Sequence, residues 1–511
     1  MSSNNRQLGL NMIASVLSSV VSFGISFFLT PYIVKELGVA AYGFVGLATQ
    51  IIGYSSIVTI ALNSMAGRYV TIEYHKGDIE KANNYYSSVY YGNVILGIFL
   101  FFISGFFVLF LEKIINIPEE LIIDVKILFA LLSINSILAL LTNVYNISTF
   151  IKNRLDFSNI QGVIGNLLRA CFLVVLFAVF IPQVWYFGLT ALIATLYVSL
   201  RNLLFTKRYT PDLKHSKDRF DINSVKELIS SGIWNLVTKL SNLLETGLNL
   251  LIANLFVGAK LAGSYSLAVT IPTMINSICS VMAGNFAPLL TKLYAELNKD
   301  EMLRELFKSI RIMGFLSSIP ISVFVVYGVE FYRVWVPSED ATLLYWLSIA
   351  SSLVMVVAMP LESLWNIFTI TNQVKKSSIN LLEWSVAIFV GIISGMLIVK
   401  DTVARLFIIA LVKSVFASIR TLTFLPYYGA KCLGYDKFIF YPVIFRNLLC
   451  VFATIAIGLI IKLFLPSQSW IGIILGCLVL CLVGVIMNWF LSLNESDRVF
   501  LKSKVKGVIN K

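Results

Sequence analysis

The sequence predicts an all-α polytopic membrane protein of about fourteen transmembrane helices, arranged as two parallel six-helix lobes followed by a C-terminal helix pair. Three observations predict it. Of 511 residues, 58% are hydrophobic and only 13% charged, with a mean hydropathy of +0.84, which excludes a soluble globular protein. Apolar runs of about 20 residues, enough to cross a hydrocarbon core of about 30 Å, recur from one end to the other. The chain also matches itself at an offset of about 220 residues, the mark of an internal duplication.

The first span, Leu10 to Val34, is too long for a signal-peptide core and no small-residue cleavage pattern follows, so it is expected to stay as a membrane helix. Ser15, Ser18, Ser19, Ser22 and Ser26 share one of its faces. Such a stripe serves close helix packing as well as a polar cavity. Spans 2 to 6 are expected from Gly38 to Asn63, Val89 to Leu111, Leu121 to Asn146, Ile160 to Ile181 and Val184 to Phe205. Arg169 falls inside span 5, where a charge costs about 2.5 to 3.5 kcal/mol on the mildest scale and must face protein or water. The segment that follows carries Lys207, Arg208, Lys214, Lys217, Arg219 and Lys226 and reads as a basic cytoplasmic linker.

Span 7, Glu227 to Val257, is the most polar. Asn235, Thr238, Lys239, Asn242, Glu245, Thr246 and Asn249 recur at three- and four-residue steps and fall inside about one third of the helix circumference. Amides, a lysine and a glutamate exceed what close packing needs, so the face is expected to line a water-filled cavity. Lys239 and Glu245 lie about 9 Å apart in height and about 120° in azimuth, too far for an intrahelical pair. Spans 8 to 12 follow from Leu261 to Leu290, Ile310 to Tyr332, Thr342 to Ile370, Ser378 to Val399 and Thr402 to Phe424. Glu362, Asn366 and Thr369 share a face of span 10, and Lys413 sits inside span 12. If Lys239, Arg169 and Lys413 all face the cavity, its middle is positive and suits an anionic ligand; paired with carboxylates, they would be structural. Gly391 and Gly395 in span 11 form a small-residue packing motif. Spans 13 and 14, Tyr441 to Phe464 and Trp470 to Leu493, lie outside the repeat, and Arg446 is expected to snorkel to the headgroups.

The repeat carries the domain division. Gly38, Gly43, Leu47, Ala48 and Ile51 match Gly258, Gly263, Leu267, Ala268 and Ile271, and Thr71 and Tyr74 match Thr291 and Tyr294. Asn146 and Thr149 match Asn366 and Thr369, and the serines of span 1 match residues 235, 238, 239, 242 and 246 of span 7. Six spans per repeat is an even number, so the halves share one orientation and an axis along the membrane normal. The expected divisions are an N-terminal lobe (1–206), the linker (207–226), a C-terminal lobe (227–428), and the extra pair with a basic tail (429–511). Two parallel lobes with polar faces on equivalent helices suit a secondary transporter working by alternating access.

The net charge of +13 reports topology and not nucleic acid, because about 29 Lys and Arg fall on one side and about 8 on the other when the N-terminus is placed in the cytoplasm. Both termini are then cytoplasmic. Trp185, Tyr186, Tyr332, Trp335 and Trp470 fall at the outer ends as interfacial anchors. No phosphate loop and no His-Glu-x-x-His pattern occurs, and Cys477 and Cys481 have no further Cys or His nearby, so neither cofactor nor metal is expected. His75 and His215 read as solvated loop residues.

The run ending "LTPYIVKELGVAAYGFVGLA" and the later "NSMAGRYVTIEYHKGDIEKAN" resemble the start of the Wzx-type polysaccharide-biosynthesis flippases, of the multidrug, oligosaccharidyl-lipid and polysaccharide exporter superfamily. The resemblance implies a MATE-like, V-shaped fold whose first and seventh helices border a central cavity. It also implies translocation of an undecaprenyl-pyrophosphate-linked oligosaccharide, an O-antigen or other surface-polysaccharide unit as in lipopolysaccharide, to the outer leaflet of a bacterial plasma (inner) membrane. Implied partners are the lipid-linked oligosaccharide, the phospholipid bilayer, H+ or Na+ as coupling ion, and a polysaccharide polymerase with its chain-length regulator. From the family pattern itself only Arg68 and the cavity-facing role of the two stripes carry over. The substrate path is then expected to use Asn235, Lys239, Asn242, Glu245, Thr246, Asn249, Ser15, Ser19, Ser22, Arg169, Lys413, Glu362, Asn366 and Arg68. A cation-coupled multidrug exporter of the same superfamily is the alternative, but it would be expected to hold an acidic, aromatic cavity. A glycan polymerase or ligase would need a larger outer loop than the roughly dozen residues available here.

Overall fold

The computed structural model describes residues 3–284, 286–371, 373–465, 469–495 and 498. Among them every regular element is a helix. Thirteen helices are long and apolar enough to cross a membrane, and a fourteenth span is bent by 42° between Ala341–Ser352 and Met355–Ile370. The expected number of spans is met.

The spans now take their observed bounds: 1, Leu17–Leu37; 2, Val39–Lys76; 3, Ile79–Leu109; 4, Glu119–Ile151; 5, Leu155–Val179; 6, Tyr186–Tyr209; and 7, Ile222–Val257. Then come 8, Ala259–Thr291; 9, Lys299–Trp335; 10, the bent pair; 11, Val374–Ile398; 12, Thr402–Leu433; 13, Tyr441–Phe464; and 14, Trp470–Leu491. Several run past the apolar stretch because capped polar turns continue the helix. Span 7 starts at Ile222, where the Asp221 carboxylate accepts from the backbone N–H groups of Asn223 and Ser224 at 3.0 and 2.9 Å.

The repeat is written into the backbone as well as the side chains. Gly38 and Gly258, which precede spans 2 and 8, have nearly the same dihedrals, φ 82°, ψ 163° and φ 106°, ψ 165°. Spans 2 and 8 are each followed by a left-handed residue, Gly77 at φ 85° and Leu297 at φ 58°. The next residue then caps the following helix: Asp78 accepts from the Lys81 N–H and Asn298 from the Glu301 N–H. Spans 4 and 10 are each broken by one 3-10 turn, at Asn143–Tyr145 and Glu362–Leu364. Four features at offsets of 219 to 220 leave little room for coincidence.

Two compact units can be described separately. The first runs to Ser266 and includes Ser378–Phe389 and Val399–Arg405; the second holds Leu267–Ser377, Val390–Ile398 and the chain from Leu406. The lobes read from the repeat are cut elsewhere, so the division at residues 207–226 remains a property of the repeat. Within the first unit, Leu62, Ala66, Val70, Tyr85, Tyr86, Val144 and Leu228 form a buried core. Spans 2 and 8 cross at their glycines: a Cβ on Gly43 would lie 2.7 Å from the Gly263 Cα, and one on Gly46 would lie 2.7 Å from Ser266 Oγ. Gly263 in turn lies against the Val39 carbonyl. Gly43 and Gly263, and Gly46 and Ser266, are repeat equivalents of one another.

Within the second unit, spans 13 and 14 are bonded to span 9. Asn447 donates to the Ile310 carbonyl at 3.2 Å, Asn488 donates to Ser318 at 2.9 Å, and Ser492 donates to Asn447 at 2.8 Å. Lys462 reaches Glu330 at 2.8 Å near the other end. The C-terminal pair is thus an integral part of this unit. In span 11, Gly395 and Gly391 lie against Ile408 and Val412 of span 12, the close packing expected of that motif.

Candidate functional site

The polar stripe of span 7 divides into two strips. With Asn235 at 0° and about 100° per residue, Asn242, Asn235, Thr246 and Lys239 fall within about 60° of one another, while Glu245, Thr238 and Asn249 fall on the adjoining arc. The structure treats the arcs differently. Thr238 and Ser378 share a hydrogen bond of 3.0 Å, and seven residues later Ser385 donates to Glu245 at 3.4 Å, so this arc is turned to span 11. Glu245 is 8% exposed and Asn249 3%. Both are held inside protein.

The other arc is open. Asn242 and Thr246 are exposed, and Asn235 and Lys239 are half-buried. Thr246 bonds back to the Asn242 carbonyl at 2.9 Å, which satisfies its hydroxyl within the helix. Among the described residues neither the Asn235 amide nor the Lys239 ammonium has a hydrogen-bond or ion-pair partner. Span 2 flanks the strip on its far side, through Gly232, Gly247 and Leu250. The strip is a polar face with one uncompensated cation, bordered by spans 2 and 11.

One turn of span 7, Leu243–Gly247, is a π-helix. The extra residue frees backbone groups, and the Tyr54 hydroxyl of span 2 donates to the Gly247 carbonyl there. Asn249 donates to the Glu245 carbonyl at 3.4 Å, and its side-chain oxygen has no partner among the described residues. Asp221, at the mouth of the helix, is held below the usual carboxylate range by hydrogen bonds from the Ser224 hydroxyl and the N–H groups of Asn223 and Ser224. Its contribution is present above that range and is lost as pH falls through the lowered value.

The serines of span 1 spend their hydroxyls locally. Ser19 donates to the Ser15 carbonyl at 3.1 Å and Ser22 to the Ser18 carbonyl at 2.8 Å. Ser22 also accepts from Asn166 of span 5 at 2.7 Å, so the stripe packs on that span at this level. Arg169, three residues on, is half-buried and has no hydrogen-bond or ion-pair partner among the described residues. Arg68 lies exposed near the end of span 2.

In the second unit, Glu362 accepts from Ser280 of span 8 at 3.2 Å, and Asn366 is half-buried one turn further. Lys413 is half-buried and has an interaction partner. Arg446 is exposed, as snorkelling requires.

Sequence reasoning missed a chain of five amides in the first unit. Asn143 donates to Asn63 at 3.1 Å, Asn63 and Asn93 exchange bonds at 2.8 and 3.0 Å, Asn146 donates to Asn143 at 3.3 Å, and Asn202 donates to Asn146 at 2.6 Å. It ties spans 2, 3, 4 and 6 together. The available signal was an asparagine in each of four apolar runs, with two of the five, Asn143 and Asn146, in span 4. The basic linker is bonded to span 3. Asn83 donates to the Asp212 carbonyl at 3.0 Å and accepts from the Lys214 N–H at 2.7 Å, while Ser88 accepts from the Asp221 N–H at 3.0 Å. His215, read as a solvated loop residue, stacks on Tyr90 with centroids 4.0 Å apart.

Three comparisons with known proteins bear on this arrangement. The sequence signature described as "Polysaccharide biosynthesis protein" covers residues 8–294. A Bacillus subtilis (strain 168) protein described as "Uncharacterized membrane protein EpsK" is 28% identical over 509 residues, 98% of this chain and 99% of its own. Among solved structures, an inward-facing multidrug resistance MATE family transporter of the MOP superfamily superposes with a TM-score of 0.66 at 16% identity, over 84% of this chain and 97% of its own. The lipid II flippase MurJ, in an inward closed conformation, gives 0.63 at 15% identity, over 97% of this chain and 99% of its own. At those identities the likeness is one of fold, and the MurJ match extends over nearly all of both chains.

Proposed function

Because the chain belongs to the polysaccharide biosynthesis protein family and has the fold of MOP-superfamily transporters, we propose that it is a flippase for a lipid-linked oligosaccharide. Its substrate is an undecaprenyl-pyrophosphate-linked surface-polysaccharide unit, moved from the cytoplasmic to the outer leaflet of the bacterial plasma membrane by alternating access. The observation that carries this reading is Lys239, a half-buried cation at bilayer depth with no partner among the described residues, set between the amides of Asn235 and Asn242.

A charge left unpaired in a membrane is costly unless a ligand or water compensates it. A pyrophosphate supplies the counter-charge, and the amides and hydroxyls beside it suit sugar hydroxyl groups. Arg169 offers a second cation near the serine stripe of span 1, and Lys413, Glu362 and Asn366 are the candidates in the second unit. Glu245 and Glu362 are the carboxylates that could take a coupling H+ or Na+. An acidic cavity would have suited a cationic drug; the open strip of span 7 is basic.

Deletion of the gene followed by lipid analysis tests the function. Completed lipid-linked units should accumulate on the cytoplasmic leaflet. Lys239→Ala should insert normally and slow flipping by about tenfold or more, since a hydrogen bond to a charged group is worth about 1.5–3 kcal/mol. Full complementation by that variant would remove Lys239 from the mechanism. Gradient-dependent efflux of cationic dyes would instead establish the multidrug exporter.

A further inference from the structure

The five-amide chain of the first unit has no part in the transport reading above. Its ends are buried, Asn93 at 0% and Asn202 at 2% exposed, and Asn93 and Asn63 are further tied to the Leu140 and Thr59 carbonyls at 3.1 and 3.0 Å. Asn146 alone of the five is exposed. Helix packing does not require the chain. At the equivalent places of the second repeat, offset by 219 or 220, stand Ala283, Met313, Ser363, Asn366 and Thr421, so four of the five amides are missing there. Ala283, Met313, Ser363 and Thr421 are all buried, and the same helices pack around them. A linked set of buried amides is costly wherever a bond is lost, and the first unit keeps one that its twin does without.

Asn146 is turned away from lipid. Ile123, Ile127 and Ile134 are exposed, fall within about 40° of one another on span 4, and mark its lipid side. Asn146 lies about 120° round from Ile134, and up to about 180° with the tighter winding of the 3-10 turn at Asn143–Tyr145. Ala139, about 140° from Ile134, is exposed as well. An exposed amide on that side of the helix opens on a water-filled recess.

The free valences of the amide name its ligand. A carboxamide has two N–H groups and two lone pairs, and Asn146 donates to Asn143 and accepts from Asn202, which leaves one of each. A sugar hydroxyl both donates and accepts, so it satisfies either. A phosphate only accepts and would face the lone pair; an isoprenoid chain would bury both groups unpaired. One turn on, Phe150 is 51% exposed, and its ring leans on span 2, with Cδ1 3.8 Å from where a Cβ on Gly67 would stand. A half-free aromatic ring beside an oriented amide suits the C–H face and the hydroxyl edge of a pyranose.

We propose that Asn146 and Phe150 form a binding subsite for a neutral sugar of the lipid-linked oligosaccharide, with Asn143 and Asn202 as positioning residues that hold the Asn146 amide. This rests on the transport reading above and adds to it: the cations of that reading take the pyrophosphate, and the subsite reads the glycan.

Binding to the full chain in nanodiscs tests it with two probes, undecaprenyl pyrophosphate and the undecaprenyl-pyrophosphate-linked oligosaccharide extracted from cells lacking the gene. Asn146→Ala and, separately, Phe150→Ala should each weaken binding of the glycosylated lipid about fivefold to tenfold and leave undecaprenyl pyrophosphate within about twofold. Phe150 is no member of the amide chain, so its variant reports even where loss of Asn146 disturbs the fold. Equal weakening for both lipids would make the residues merely structural and overturn the proposal, as would unchanged affinity for the glycosylated lipid in either folded variant. If the parent binds neither lipid, the transport reading falls and the subsite with it; if the parent binds both and the variants do not discriminate, the subsite alone falls.

Discussion

Leu297 is the residue whose conformation least suits its side chain. It occupies the left-handed region at φ 58°, where the repeat-equivalent position holds Gly77, and it is 81% exposed. A side chain with Cβ pays about 1–2 kcal/mol there, and this one recovers little by burial. Leu297→Gly should therefore stabilise the protein by about 1 kcal/mol, read as a rise in thermal unfolding temperature in detergent. An unchanged or lower midpoint would refute the strain argument. Nothing in the sequence around Leu297 announces a left-handed turn; only the alignment with Gly77 could have found it. Lys239 was legible for the opposite reason. The cost of a charge in hydrocarbon depends on residue type and depth alone, and both can be read without knowing the neighbours.

At the scale of elements, the polar stripe of span 7 was visible from periodicity, but its division was not. Periodicity fixes the azimuth of a side chain and says nothing of which helix stands at that azimuth. Thr238 and Glu245 share the stripe with Lys239 but meet Ser378 and Ser385 of span 11, so they brace one helix on another. The π-turn at Leu243–Gly247 was equally invisible; the tyrosine whose hydroxyl reaches its Gly247 carbonyl stands 193 positions earlier in the chain. Gly232 offers the sharpest test at this scale. Any Cβ there would run into the Ala61 carbonyl, which cannot move without moving span 2. Gly232→Val should cost about 2–3 kcal/mol or more through overpacking and reduce the folded yield, whereas Gly53→Ala, where nothing stands within 4 Å, should be tolerated. Equal yields for the two variants would show that the contact of span 7 with span 2 at Gly232 is looser than its distances imply.

For the whole molecule, the number of spans, their order and the repeat all followed from composition and self-comparison, because lipid imposes one rule on every span. The asymmetry of about 29 basic residues against about 8 leads to one further expectation: both ends of the chain lie in the cytoplasm. A fluorescent protein fused after Lys511 should fold and fluoresce, while alkaline phosphatase fused there should be inactive. The reverse pattern would invert the topology. The association of span 7 with the first unit could not be read this way, since a repeat records ancestry and not present contacts.

The crossing of Gly43 and Gly263 carries that ancestry. A patch that meets its own equivalent is what a homodimer with two-fold symmetry makes. A six-helix protein that paired with its own copy through this patch would, after duplication and fusion of its gene, keep the contact inside one chain. In a true homodimer, a lysine gained by one subunit appears in both. A single fused chain has no such constraint: span 7 holds Lys239 where span 1 has Ser19 at the matching position.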